Sequence, residues 1–201
     1  MEELEDCGTL LTEDILRECD DNNVGGIETN ALLFNKSDID YLLTTFSATS
    51  PTTITNLVLK SGKTGFYIKG VKQVNNARFE LVKKELSNDM YRHLFGGVFA
   101  NASAKMLDRL EELKNNESGI VALVETKFKG VAQKDAFKLV GFFSGLKLQT
   151  AVWGTNENDA TVSFELASDE GYEEPKPVLT VLETDYTITS TAFANRFENT
   201  P

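Results

Sequence analysis

Residues 54–71 contain two short apolar runs on either side of a Ser-Gly-Lys-Thr segment, and this pattern constrains the fold more than any other. Leu57 and Leu59 lie two positions apart in the first run, as Phe66 and Ile68 do in the second. A period of two is typical of strands that are buried on one face. The glycine of the central segment can adopt a positive φ at no steric cost, so we expect the segment to close as a hairpin arm.

The rest of the chain repeats the strand pattern, with turns rich in Gly, Asn and Asp between the runs. Residues 103–115 differ, because Met106, Leu107, Leu110 and Leu113 have helical spacing. Crossover helices are missing between the later strands, which excludes parallel βαβ units there. We expect a mainly β protein, an antiparallel β-sandwich or barrel with one flanking α-helix and extended N-terminal and hairpin arms. The expected strands outside the arm are residues 27–34, 39–46, 78–84, 90–100, 120–128, 136–143, 146–153 and 161–167, and an apolar run follows an acidic loop at 178–182.

The length of 201 residues fits one domain with arms. We expect an acidic N-terminal arm at 1–26, a single β-sandwich domain at 27–190 and a C-terminal tail at 191–201. No run approaches the ~18 apolar residues of a membrane span. The acidic start MEELEDC lacks the basic and apolar regions of a secretory signal, so we expect a protein made in a cytoplasm and not exported by the general route.

The net charge of −11 is distributed in three blocks. Residues 1–21 carry nine acids and one arginine, and residues 157–185 carry nine acids and one lysine, so each block has a net charge of −8. Residues 22–156 hold 12 acids and 17 bases, a net charge of +5. Any one block can simply be a solvated surface. Acidic ends beside a basic middle nevertheless favour contact between copies, since complementary patches steer association and set its register.

Lysines on or beside the expected arm are the candidate subunit interface. They are Lys60, Lys63, Lys69 and Lys72. An arm of one sign on a body of the opposite sign indicates contacts with other copies of the chain.

Candidate catalytic and metal-binding residues are few. Cys7 and Cys19 could form a disulfide, but a reducing compartment favours free thiols. His93 is the only histidine and lies far from both cysteines, so we expect no metal site and no cofactor. A lone histidine in a strand is more often structural than catalytic. The GKT sequence that begins at Gly62 lacks the earlier glycine and the following helix of a phosphate-binding loop.

The sequence offers candidates for two other kinds of site, a pair of catalytic carboxylates and an aromatic sugar-binding platform, and each set of residues also has a plausible structural role. Glu125 and Glu165 could act as the carboxylate pair of a glycosidase, although strand acids more often lie on a solvated face. Trp153, Tyr172 and Tyr186 could form a platform that stacks on sugars, although core or rim positions are commoner for such aromatics. Nucleic-acid binding as the main function is disfavoured by the net charge.

Read as a whole, the chain resembles the tail tube and tail ring proteins of phages and prophages of Bacteroidetes, including crAss-like phages. The resemblance covers most of residues 20–190. The residues that carry it are Gly25-Gly26-Ile27, Leu33-Phe34-Asn35-Lys36-Ser37-Asp38-Ile39, Leu59-Lys60-Ser61-Gly62-Lys63-Thr64-Gly65-Phe66, Leu81-Val82-Lys83, His93, residues 107–113, residues 121–125, Glu174-Pro175 and Asp185-Tyr186.

The resemblance implies a non-enzymatic structural protein of the virion, a β-sandwich packed on one helix and repeated in homo-oligomeric rings. The rings would surround the DNA ejection channel and contact neighbouring tail proteins, and DNA would pass without specific binding. The protein would be assembled in the bacterial host cytoplasm and end in the virion tail. The acidic leader is longer than the resemblance predicts. The expectation therefore includes two assemblies, a stacked tail tube and a single ring of a short tail or collar. The alternative function is a non-catalytic β-sandwich module of a fibre or baseplate that binds carbohydrate or a protein partner.

Overall fold

The computed structural model describes residues 14–15, 24–70, 74–156 and 160–198, and it is mainly β. Two α-helices accompany the strands, α1 (Ala104–Lys114) and α2 (Tyr186–Ala194). The strands are β1 (Ile27–Asn35), β2 (Thr45–Phe46), β3 (Thr53–Asn56), β4 (Phe66–Lys69), β5 (Asn76–Val82), β6 (Met90–Phe99), β7 (Ile120–Thr126), β8 (Phe137–Val140), β9 (Lys147–Trp153), β10 (Val162–Ala167) and β11 (Leu179–Val181).

The strands form two sheets. The larger sheet has the order β2-β3-β11-β8-β7-β1-β4, and the smaller has the order β5-β6-β10-β9. Neighbouring strands are antiparallel except β3 and β11, which pair in parallel. The expected class, a β-sandwich with a flanking helix, is confirmed.

The larger sheet is the central layer because both of its faces are buried. Along β1, Leu32 and Phe34 join one core cluster, whereas Ala31 and Leu33 join the other. Strand β7 alternates in the same way, so period-two side chains supply two cores at once. One face packs against the smaller sheet, and the other is covered by α2 and by the chain around Leu57.

Strand β6 crosses the larger sheet at a steep angle. His93 in β6 contacts Gly141, just after β8, while a methyl group added at Gly97 in β6 would come within 3.2 Å of Ile68 in β4. Four residues of strand span about 13 Å, and β8 and β4 are three strand spacings, about 14 Å, apart. The two sheets therefore pack close to orthogonally.

Residues 54–71 do not form a hairpin arm, which corrects the sequence expectation. β3 pairs with β2 and β11, β4 pairs with β1, and four strands separate β3 from β4. The central turn does form, with the N–H of Lys63 donating to the carbonyl of Lys60 and Gly62 at φ +71°. Leu57 and Leu59 are buried in the core, so the segment crosses the α2 face of the sheet instead of projecting from it.

The expected strand at residues 39–46 is also wrong for most of its length. Residues Lys36–Asp38 form a 3-10 turn, and a second turn follows at 41–43. The carboxylate of Asp40 accepts hydrogen bonds from the backbone N–H groups of Leu42 and Leu43, and this local bonding replaces a strand ladder. Only Thr45–Phe46 remains as β2.

Helix α1 confirms the predicted helix, and Met106, Leu110 and Leu113 are its half-buried stripe. Helix α2 was not expected; it begins inside the predicted domain and ends inside the predicted tail. Phe193 and Phe197 are each only 7% exposed, so the described part of the tail belongs to the core. Of the predicted N-terminal arm, only residues 14–15 and 24–26 are described. Neither described helix is long and apolar enough to cross a membrane.

Candidate assembly surface

His93 is a hydrogen-bonded core residue. It is 1% exposed, and its Nδ1 accepts a 3.1 Å hydrogen bond from the N–H of Gly141. The proton of the neutral ring is therefore on Nε2, which donates to the carbonyl oxygen of Lys176 at 3.0 Å. Burial lowers the pKa of the imidazole to about 4, so the ring is uncharged at neutral pH. Both nitrogens are used in joining β6 to the loops after β8 and before β11.

A buried carboxylate supports the same region. Glu174 is fully buried, and its oxygens accept 2.8 Å hydrogen bonds from the N–H groups of Phe143 and Ser144. Its backbone exchanges two hydrogen bonds with Tyr91 at the start of β6. Burial raises the pKa of this carboxyl, while the donated N–H bonds oppose the rise. Glu174 thus ties the acidic loop before β11 to the turn between β8 and β9.

The two carboxylates considered for glycoside hydrolysis lie on opposite sides of the molecule. Glu125 is at the end of β7 on the α2 side, where it accepts hydrogen bonds from Lys129 and Tyr186. Glu165 lies on the outward face of β10 and forms a 3.6 Å ion pair with Arg78. The fold therefore does not bring the predicted pair together.

Histidine, cysteine and acidic side chains do not gather as a metal site within the described ranges. Cys7 and Cys19 lie outside the described residues. The expectations of no metal and no cofactor are not tested by these observations.

The three aromatic residues of the possible sugar platform are likewise apart. Trp153 pairs with Val162 at one end of β10, while Tyr172 follows the other end of that strand. The five-residue rise of the strand separates its two ends by roughly 17 Å. Tyr186 begins α2, on the far side of the larger sheet, where it stacks on Phe137. The aromatic platform is not assembled in this structure.

Two of the four predicted interface lysines bind their own chain. Lys60 donates a 2.7 Å hydrogen bond from Nζ to the carbonyl oxygen of Ser37. Lys63 forms a 3.2 Å ion pair with the carboxylate of Asp38, a buried residue. Both therefore hold the 3-10 turn after β1. Lys69 is exposed on β4, and Lys72 lies outside the described residues.

Strand β4 is an open edge of the larger sheet. The N–H of Gly70 donates to the carbonyl of Thr29, so by the alternation of an antiparallel ladder the backbone groups of Tyr67 and Lys69 point away from β1. No strand of the described ranges pairs with that edge. Phe66 and Tyr67 are 54% and 38% exposed. An edge with exposed aromatics is a surface that another chain can cover.

A groove of about 710 Å³ borders this edge, between β4 and α1; we call it the α1–β4 groove. Its apolar wall combines strand and helix residues, and Lys69 and Arg109 stand among its polar ones. The apolar wall includes Leu33, Phe66, Ile68, Phe99, Met106 and Leu113. The sequence predicted that the apolar stripe of the helix covers a sheet. It did not predict the groove that lies between the helix and β4.

A second apolar feature lies at the other end of the larger sheet. The turn at residues 40–43, here called the leucine turn, precedes β2 and presents Leu42 and Leu43 at 95% and 58% exposure. Tyr41 anchors it by donating its hydroxyl to the carbonyl of Phe142 at 2.8 Å. The backbone of Asp40 adds bonds to Val58 and Thr44. Sequence reasoning missed this feature because it assigned the segment to a half-buried strand.

The chain matches no protein-family model, no curated protein and no solved structure. The resemblance to phage tail proteins therefore stays a prediction.

Proposed function

We propose that the chain is a structural protein of a phage tail, which forms homo-oligomeric rings around the DNA ejection channel. The observation that carries the proposal is the open β4 edge, where exposed Phe66 borders the apolar α1–β4 groove. Natural monomers usually block such an edge with charges, prolines or a covering segment. Strand β4 carries one exposed lysine, Lys69, beside the two exposed aromatics Phe66 and Tyr67, and this apolar part of the edge is suited to burial against another chain.

Ring formation follows from repeating one contact by rotation. A head-to-tail contact between copies gives a closed ring when the rotation closes and a filament when it does not. A ring multiplies a modest pairwise contact around the whole assembly.

The charge of the chain suits a conduit for DNA. A net charge of −11 repels phosphate, so DNA would pass through the ring without being held. In this proposal the protein is assembled in the bacterial host cytoplasm and resides in the virion tail, beside neighbouring tail proteins.

Location in the virion can be tested directly on purified particles from a host that produces the chain. Antibodies raised against it, visualised with gold, should label the tail or the head–tail junction, and mass spectrometry should find several copies per particle. Labelling confined to soluble host fractions, with particles that lack the chain, would contradict the proposal.

A further inference from the structure

We propose that the ring contact is a head-to-tail joint in which the leucine turn of one copy enters the α1–β4 groove of the next. This inference rests on the proposed ring function and identifies its interface. The two features are apolar, exposed and of opposite shape, one a protruding turn and the other a groove.

Their positions on the sheet suit a head-to-tail contact. The leucine turn precedes β2, the first strand in the order of the larger sheet, and the groove borders β4, the last. Six strand spacings, about 29 Å, separate these edges. Because the turn and the groove lie at opposite edges of one sheet, the turn cannot enter the groove of its own copy. Each copy can therefore bind one neighbour through its turn and another through its groove.

The turn is built to keep its shape. Asp40 caps the N–H groups of Leu42 and Leu43, and Tyr41 is tethered to Phe142. The hydrogen bonds fix the backbone that carries the two exposed leucines, and such pre-ordering lowers the entropy lost when an apolar protrusion binds a partner.

The groove has the size and charge to accept this turn. Its volume of about 710 Å³ lies within the range of pockets that enclose a small organic ligand, which leaves room for two leucine side chains. Its charged lining residues are Lys69, Arg109 and Glu112, and Arg109 forms an ion pair with Glu112, so the groove carries a net positive charge through Lys69. Asp40 accompanies the leucines on the turn. This charge complementarity sets the orientation of the joint more than its strength.

Two separate variants test the joint, one that alters the turn and one that alters the groove. Leu42→Asp with Leu43→Asp removes the turn's apolar anchors, and Met106→Glu places a charge in the groove on a helix that accepts glutamate well. Phe66→Glu provides a second groove variant should Met106→Glu fail to fold. Leu86→Asp is the matched control for the turn, since Leu86 is 100% exposed elsewhere. Leu107→Glu is the control for the groove, since Leu107 adjoins Met106 but does not line the groove.

Sedimentation velocity of the wild type and the variants measures the joint. We expect the wild type and both controls to assemble, and the turn and groove variants to associate at least about tenfold more weakly. The decisive sample is an equimolar mixture of the turn variant and the groove variant. It should form a one-to-one dimer and nothing larger, because the mixed pair retains one intact turn and one intact groove.

The outcomes separate this inference from the proposed function. A wild type that stays monomeric at every concentration overturns both. A wild type that assembles while the turn variant assembles equally well overturns the joint alone. A mixture that stays monomeric also overturns the joint, because the intact turn of one variant and the intact groove of the other would then have failed to bind each other.

Discussion

His93 and Gly141 join the two sheets, since Nδ1 of the imidazole accepts a 3.1 Å hydrogen bond from the N–H of Gly141. His93 belongs to β6 of the smaller sheet, and Gly141 follows β8 of the larger one. The bond requires an uncharged ring, because a protonated imidazole has no acceptor. Protonation of His93 would therefore remove this link between the two sheets.

Acid should weaken the fold through His93. The folded-state pKa is about 4 against an unfolded value near 6.5, so the unfolded chain binds the extra proton first. The contribution is fully present above about pH 6.5 and is lost as pH falls towards 4, by on the order of 3 kcal/mol. Urea unfolding of the wild type and of His93→Gln between pH 4 and 7.5 measures it. The difference between the two should shrink in acid; a difference that is constant with pH would contradict this assignment.

Replacing Gly97 by alanine should destabilise the packing of the sheets. The added Cβ would lie 2.5 Å from Cζ of Phe164 and 3.2 Å from Cδ1 of Ile68, so core side chains must move. We expect a loss of about 1–3 kcal/mol in the free energy of unfolding. Gly25→Ala is the matched control, because a Cβ there meets nothing within 4 Å and should change stability little. Equal stability of the two variants would disprove the close sheet contact at Gly97.

Lys63 and Lys69 should respond differently to charge reversal. Lys63→Glu places a like charge beside Asp38, so the unfolding free energy should fall by about 0.5–1 kcal/mol. Lys69→Glu should leave it within about 0.5 kcal/mol but weaken assembly, since Lys69 lines the groove. Denaturation and sedimentation, each at low and high salt, separate the effects. If both variants gave the same unfolding free energy and the same degree of assembly, the assignment of Lys63 to fold stability and of Lys69 to assembly would be contradicted.

Most strands could be predicted because a period of two is a local property of the sequence. β1, β6 and β10 begin and end within a residue or two of their expected positions. Pairing is not local, and the parallel partner of β3 is β11, far along the chain. Two alternating runs about a glycine turn therefore resembled a hairpin although each run pairs elsewhere.

Helix α2 was not predicted because most of its residues have low intrinsic helix propensity. Four of its nine residues are β-branched, and these favour strands. The available signal was Asp185, whose carboxylate accepts a 2.9 Å hydrogen bond from the N–H of Ile188 as an N-cap. Burial of Phe193 against the larger sheet then outweighs the weak propensity.

The candidate surface could be predicted only in part. The lysines were visible in the sequence, but their intramolecular partners at Ser37 and Asp38 depend on the folded turn. The exposure of Leu42 depends on the Asp40 cap, and the α1–β4 groove depends on how far the helix stands from the edge strand. Each of these is a tertiary property.

The mass and shape of the purified full-length chain test the central claim most directly. Sedimentation equilibrium combined with negative-stain imaging should show a closed oligomer of one defined mass, with particles that have an axial channel. Disruption of that particle by Leu42→Asp with Leu43→Asp, but not by Leu86→Asp, would identify the contact. A monomer of 22.2 kDa at all concentrations, with no ring in the images, would contradict the account.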